Sequence, residues 1–122
     1  MLVAPARSAC ADGWGAHVSD LADAHVAAID WLSAGKPSDS FNLGNGRGFS
    51  VAEVVKASEK VTGRPVPTDM CDRRPGDPAI LVSDSSKARR LLGWVPRFPE
   101  LDQQITHAWT WFRDAMPNIA GI

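Results

Sequence analysis

The chain has 122 residues, of which 44% are hydrophobic, and this length and composition are typical of a single globular domain. Thirteen basic and fourteen acidic residues leave a formal charge of -1, which argues against nucleic acid or an anionic membrane surface as a partner. The apolar runs are far shorter than the roughly 20 residues of a transmembrane helix, and residues 1–12 lack a secretory signal, so we expect a cytoplasmic protein. Cys10 and Cys71 stand apart and indicate neither a disulfide framework nor a metal site.

The first half of the chain predicts short strands alternating with helices. Residues 14–18 have the pattern of a short strand, and a helix follows, with Ser19 or Asp20 as its N-cap and its end near Leu32. A second short strand is predicted over 41–43. Ser50 and Glu53 then have the spacing of a capping box, which predicts a helix that ends at Gly63.

The second half continues with shorter elements. Asp84 is placed to cap a short helix, and a glycine after Leu92 is typical of its C-terminal end. The predicted elements are a strand over 66–71, an apolar segment over 79–82, a helix over 85–92 and a helix from about 102 to 116. Four helices and a few short strands, some in β-α order, indicate a small mixed domain of the α/β or α+β class. A complete Rossmann sheet would need about five or six long apolar strands and does not fit.

A turn over 73–78, Arg-Arg-Pro-Gly-Asp-Pro, is the first candidate functional site. Its two prolines restrict the backbone, so its charged side chains are presented at nearly fixed positions. The planar guanidinium of arginine matches the oxygens of phosphate and carboxylate groups, which predicts an anionic ligand. A solvated surface turn is the alternative.

The glycine-rich loop over 44–48 lies between a predicted strand and a capped helix, as a dinucleotide-binding loop does. Its third glycine is Gly48, whereas the Gly-x-Gly-x-x-Gly spacing requires a glycine at Phe49. We therefore interpret the loop as a structural turn and assign no cofactor-binding residue to it.

Three segments in this order resemble the UDP-glucose 4-epimerases, a family of extended short-chain dehydrogenases/reductases. They are His17–His25, Phe41–Ser50, and Arg73–Asp77 with its continuation to Trp94. The resemblance covers about residues 16–113 and implies the fold of the C-terminal, substrate-binding part of such an enzyme. The implied organisation is an atypical N-terminal segment over 1–13, a substrate-binding domain over 14–117 and a tail over 118–122.

In that family an N-terminal Rossmann domain binds NAD and carries the catalytic tyrosine and lysine, and the reaction interconverts UDP-glucose and UDP-galactose. The C-terminal part binds the UDP moiety. The resemblance implies that Arg74 contacts the diphosphate and that Asp77 accepts a hydrogen bond from a ribose hydroxyl, with Arg73 as a structural or solvated neighbour. It implies no catalytic and no metal-binding residue in this chain.

Several positions depart from the family pattern. The chain has no tyrosine, and it contains neither the Gly-x-x-Gly-x-x-Gly loop nor the Tyr-x-x-x-Lys pair. Residues 13–15 read Gly-Trp-Gly where the family has arginine, aspartate and tyrosine, and a substrate-contacting tyrosine is replaced near Leu81. We therefore expect the chain alone to be inactive, to bind UDP-sugar weakly and to bind no NAD. A separately encoded Rossmann domain is a candidate partner.

Other interpretations remain open at this point. The chain is alternatively a fragment of another nucleotide-sugar epimerase or dehydratase, a non-catalytic nucleotide-binding module, or an interaction module. His17 and His25 have no candidate nucleophile beside them in the sequence, so we interpret them as structural, with His25 partly buried and His107 facing solvent. Asp20 and Asp23 are interpreted as helix-capping and helix-dipole residues.

Overall fold

The structure, a computed structural model, describes residues 2–5, 16–71 and 82–115. Its helices are α1 (Val18–Ser33), α2 (Val51–Thr62), α3 (Ser86–Leu92) and α4 (Leu101–Ala115). Its strands are β1 (Leu2–Pro5) and β2 (Thr68–Cys71), which pair in parallel with Leu2 opposite Thr68. The predicted small mixed domain is thus confirmed, and the described residues contain no complete Rossmann sheet. None of the described helices combines the length and the apolar character that crossing a bilayer requires.

Helix α1 begins earlier than the sequence predicts. His17 is its N-cap, and the Nδ1 atom of this histidine accepts a hydrogen bond of 3.1 Å from the backbone N–H of Ser19. The prediction of Ser19 or Asp20 as the cap is therefore wrong, because both residues already lie inside the helix. The predicted strand over 14–18 is wrong where it can be compared, since Val18 is the first helical residue; residues 14 and 15 lie outside the described residues.

Helix α2 confirms the capping box. The backbone N–H of Ser50 donates to Glu53 Oε2 at 2.7 Å, and the backbone N–H of Glu53 donates to Ser50 Oγ at 3.2 Å. The hydrogen bonds from Ser50 stabilise the ionised carboxylate, so the pKa of Glu53 lies below its ordinary value. The helix ends at Gly63, whose φ of 67° is the left-handed conformation that glycine adopts without a Cβ clash.

The two C-terminal helices follow their predicted bounds closely. Asp84 Oδ1 accepts a hydrogen bond of 2.9 Å from the backbone N–H of Ser86, although the formal N-cap of α3 is the intervening Ser85. Gly93 ends α3 in the left-handed conformation. Helix α4 begins at Leu101, one residue before the predicted start, and the predicted stop at Pro117 lies outside the described residues.

The described buried apolar residues form two separate clusters. The α1–α3 cluster consists of Ala24, Ala88 and Trp94, with Phe41, Leu43 and Leu92 packed against it. The α2–α4 cluster consists of Phe49, Val54, Ala57 and Leu101, with Ile105 packed against it. The predicted strand over 41–43 is wrong, because these residues have irregular backbone and their apolar side chains pack on the first cluster instead of pairing in a sheet.

Candidate functional site

The two predicted site residues, Arg74 and Asp77, lie outside the described residues, as does the rest of segment 72–81. The structure describes both flanks of this segment. On the upstream side β2 ends at Cys71 and is held by its parallel pairing with β1. On the downstream side α3 begins at Ser86, four residues after Val82.

The downstream flank is held against the glycine-rich loop. Ser85 is buried, and its Oγ donates a hydrogen bond of 2.9 Å to the backbone carbonyl of Gly44. Gly44 approaches Ser83 so closely that a Cβ atom at position 44 would lie 2.9 Å from Ser83 Cβ. Only glycine fits there without displacement of the flank. Gly44 therefore allows the close contact with residues 83–85, which follow the turn over 73–78 in the sequence.

The remainder of the glycine-rich loop also serves the fold. Gly46 has a φ of 80°, and a Cβ at this position would lie 3.9 Å from Arg89 Nη2 on α3. Asn45 Nδ2 donates a hydrogen bond of 3.2 Å to the carbonyl of Pro99, just before α4. These contacts give the loop a structural role within the fold.

Helix α3 is tied to the chain segment that precedes the glycine-rich loop. Lys87 Nζ donates to Asp39 Oδ1 at 2.5 Å and to the carbonyl of Ser40 at 3.0 Å. The hydrogen bond from Lys87 is the main reason that the pKa of Asp39 is lowered. A backbone hydrogen bond from Ser86 lowers the pKa of Asp84 in the same way. Both carboxylates are therefore ionised at neutral pH and occupied by contacts within the fold.

Asp20 is buried, and its interpretation as a helix-capping or helix-dipole residue is wrong. Its side chain is 0% exposed, and its two carboxylate oxygens accept the backbone N–H groups of Arg97 at 2.9 Å and Phe98 at 3.1 Å. The indole N–H of Trp94 donates to its backbone carbonyl at 2.7 Å. Because both oxygens accept backbone amides, Asp20 is a structural residue that joins α1 to the chain before α4. The partners lie 77 and 78 positions away, so no sequence spacing indicated this contact.

Two of the three histidines, His17 and His107, pack together. His17 Nε2 lies 3.1 Å from His107 Nδ1, and both rings pack against Phe98, with centroid separations of 4.5 and 5.2 Å. His107 is exposed, as predicted. His25 Nδ1 is 2.7 Å from the carbonyl of Leu21, which confirms the predicted hydrogen bonding, but His25 is exposed and the expected partial burial is wrong. The described residues contain no group of three or more metal-ligating side chains.

An open groove of about 580 Å³ lies between α2 and the start of α4. Phe49, Ala57 and Leu101 line its floor; the charged residues around it are Arg47, Lys56, Lys60, Glu53, Glu100 and Asp102. Three positive charges thus face three negative ones, and Arg47–Glu100 and Lys60–Asp102 are ion pairs. The charges that line the groove are therefore balanced, with no excess of either sign.

Comparison with known proteins indicates the same group of enzymes as the resemblance described in the sequence analysis. The chain is 49% identical to the UDP-glucose 4-epimerase of Halalkalibacterium halodurans over 98 residues, which are 80% of this chain and 29% of that protein. No family model matches the chain.

Two solved structures show the same likeness. One is a UDP-glucose-4-epimerase from Stenotrophomonas maltophila with bound NAD and formylated UDP-arabinopyranose: 40% identity, TM-score 0.75, covering 84% of this chain and 30% of that chain. The other, from Bifidobacterium longum in complex with NAD+ and UDP, gives 37% identity and a TM-score of 0.69, covering 93% and 35%.

In each of these comparisons most of this chain is matched, but only a minor part of the relative is. The chain spans about three tenths of the length of the relatives it matches, and the matched part is their C-terminal portion. Over that portion the sequence identity, the fold and the order of the sequence segments all indicate the same group of enzymes. The chain is therefore a homologue of the C-terminal portion of UDP-glucose 4-epimerases, which are NAD-dependent members of the extended short-chain dehydrogenase/reductase family.

Proposed function

We propose that this chain is the UDP-sugar-binding portion of a UDP-glucose 4-epimerase-like protein and binds the UDP moiety through the turn over 73–78. In this proposal Arg74 contacts the diphosphate and Asp77 a ribose hydroxyl. The observation that carries it is the retention of the Arg-x-Gly-Asp turn within a segment that is 49% identical to an epimerase. The described flanks support it, because β2 is paired with β1 and Ser85 is hydrogen-bonded to the carbonyl of Gly44.

We propose further that the chain alone does not catalyse the epimerase reaction. Two of the related structures have NAD bound, and this sequence contains neither a Gly-x-x-Gly-x-x-Gly loop nor a Tyr-x-x-x-Lys pair. The chain also has no tyrosine, so it cannot supply a phenolic acid or base. In this proposal a separately encoded Rossmann domain would supply both missing parts.

The expected affinity for UDP is low. A charge-assisted contact such as that of Arg74 contributes about 1.5–3 kcal/mol, whereas millimolar affinity requires about 4 kcal/mol. Asp77 can add a hydrogen bond to the ribose, which brings the sum close to the millimolar range. The binding assay must therefore detect weak ligands.

Chemical-shift titration of the ¹⁵N-labelled chain with UDP tests the binding proposal. We expect saturable shifts of the amides in segment 72–84 at about millimolar UDP. Arg74→Ala should abolish them, and the matched control Arg73→Ala should retain them. Shifts that persist in Arg74→Ala, or equal losses in both variants, contradict the assigned role of Arg74; no shifts in the wild-type chain contradict the binding proposal itself.

An activity assay tests the second proposal. The purified chain is supplied with NAD and UDP-glucose, and we expect no more UDP-galactose than a boiled sample produces. Formation above that control would overturn the proposed dependence on a separate catalytic domain. Tight UDP binding without turnover would instead favour a non-catalytic nucleotide-binding module.

A further inference from the structure

The side chain of His17 joins the start of α1 to α4 through both of its ring nitrogens. Its Nδ1 accepts the hydrogen bond of 3.1 Å from the backbone N–H of Ser19, and its Nε2 lies 3.1 Å from Nδ1 of His107 on α4. A ring nitrogen that accepts carries no proton, so a neutral His17 has its proton on Nε2. This Nε2 therefore donates to His107 Nδ1, which leaves the proton of a neutral His107 on its own Nε2. Both contacts are made together only when both rings are neutral.

One added proton removes one of these two contacts. If the proton binds Nδ1 of His107 and His17 keeps its tautomer, two N–H groups face each other and the contact between the rings is lost. If the contact between the rings is kept, a proton lies on Nδ1 of His17, and the N–H of Ser19 has lost its acceptor. The second arrangement is favoured, because the shared proton makes the ring contact charge-assisted, and such hydrogen bonds are roughly twice as strong as neutral ones. Protonation of the pair therefore removes the cap of α1.

The cap of α1 differs in this respect from that of α2. Ser50 caps α2 with a hydroxyl group, which does not titrate near neutral pH. Histidine side chains titrate near pH 6.5, within the physiological range. A positive charge on His17 would also lie at the N-terminus of α1, where the helix dipole disfavours it. The start of α1 is thus sensitive to pH in a range where the start of α2 is not.

The charged groups around the pair do not offset this sensitivity. Phe98, which packs against both rings with centroid separations of 4.5 and 5.2 Å, is uncharged. The charged side chains at the start of α1, before α4 and on α4 contact other groups: Asp20 with the amides of Arg97 and Phe98, Asp23 with Arg97, Glu100 with Arg47, Asp102 with Lys60, and Arg113 with Asp114. The other titratable groups of α1 are His25, which bonds the carbonyl of Leu21, and Asp30, which lies in the last turn. Among the described residues, no carboxylate forms an ion pair with either ring of the pair.

We propose that His17 and His107 form a pH-sensitive cap that holds the first turn of α1 at neutral pH and releases it in mild acid. In the unfolded chain the two histidines bind protons without losing a contact, so the folded state loses stability as the pH falls through about 6.5 and regains it above that value. The affected turn contains Asp20, which joins α1 to the chain before α4. Release of the cap is therefore expected to loosen this junction. The pair includes no residue of the turn over 73–78, so the inference is independent of the proposed function.

The amide resonance of Ser19 tests the cap directly in the ¹⁵N-labelled chain between about pH 5 and 8. We expect its chemical shift to change in one sigmoidal step that coincides with titration of the His17 ring. The amide of Glu53, which donates to Ser50 Oγ, should show no such step in the same samples. His17→Asn, which retains a capping oxygen but binds no proton, should abolish the step. A Ser19 shift that is constant with pH, or a step that persists in His17→Asn, would overturn the proposal.

Replacement of His107 tests the second member of the pair. His107→Leu removes the acceptor that stabilises the added proton, so the step at Ser19 should move to lower pH by about half a unit or more. The matched control is His25→Leu, which removes a histidine outside the pair and should leave the step unchanged. A step at the same pH in both variants would overturn the part assigned to His107.

Urea denaturation at two pH values measures the effect on the whole fold. Between about pH 7.5 and 5.5 the unfolding midpoint of the wild type should fall more than that of His17→Asn, because the asparagine caps α1 at both values. His25→Leu should lose as much as the wild type does. Equal losses in the wild type and His17→Asn would contradict the proposed loosening of the junction.

Discussion

Replacement of Asp20 is expected to destabilise the chain strongly. The carboxylate is fully buried and accepts the backbone amides of Arg97 and Phe98 at 2.9 and 3.1 Å. Hydrogen bonds to a charged group contribute about 1.5–3 kcal/mol each. Asp20→Asn keeps one acceptor oxygen and turns an NH₂ group towards the second amide, so it should reduce the free energy of unfolding by about 1.5–3 kcal/mol. Asp20→Ala leaves both amides without the carboxylate and should reduce it by about 3–5 kcal/mol.

The matched control for this prediction is Asp23→Asn. Asp23 lies on the same helix and pairs with the guanidinium of Arg97 at 2.6 Å, but its side chain is 51% exposed. An exposed ion pair contributes about 0–1 kcal/mol, so this variant should unfold almost as the wild type does. Urea denaturation followed by circular dichroism at 222 nm measures all three variants. An unfolding midpoint of Asp20→Asn equal to that of Asp23→Asn would refute the reasoning.

Three further predictions concern the glycine-rich loop and two helix N-termini. Gly44→Ala places a methyl group 2.9 Å from Ser83 Cβ and should lower the free energy of unfolding by about 1–3 kcal/mol. Urea denaturation measures this change. An unfolding midpoint equal to that of the wild type would show that the segment around Ser83 moves aside at no cost in stability. His17→Ala removes the cap of α1 and should lower it by about 0.5–2 kcal/mol, whereas His17→Asn, which can still cap, should lower it less; equal losses would rule out the cap as the cause. The folded-state pKa of Glu53 is depressed by its hydrogen bonds with Ser50, so its contribution to stability is present above its unfolded pKa of about 4.3 and is lost as pH falls through the folded value. Thermal unfolding between pH 3 and 6 should therefore show a steeper acid loss for the wild type than for Glu53→Gln, and parallel curves would contradict this role.

Much of the helical framework was predictable because its signals are local. The capping box at Ser50 and Glu53 and the glycine at the end of α2 act within one turn of the backbone they terminate, and the structure reproduces them. The cap of α1 was not predictable in the same way, because histidine is not among the common N-cap residues.

The errors concern residues whose role depends on distant partners. Phe41 and Leu43 have the apolar spacing of a strand, but the spacing predicts burial and does not distinguish a sheet from a packed irregular segment. Asp20 sits in the first turn of a helix, where a carboxylate is usually explained by the helix dipole, and its actual partners are more than 70 positions away. The turn over 73–78 stays a prediction, because its residues lie outside the described ones.

The division of the buried residues into two small clusters bears on the cooperativity of unfolding. Asp20 extends from the helix of the α1–α3 cluster to the backbone that leads into α4, so a polar contact links the two clusters. No described buried apolar residue belongs to both clusters, so the apolar packing of each cluster can be lost separately. A calorimetric enthalpy larger than the van't Hoff enthalpy is therefore the expected signature, since the two clusters would then melt as partly independent units.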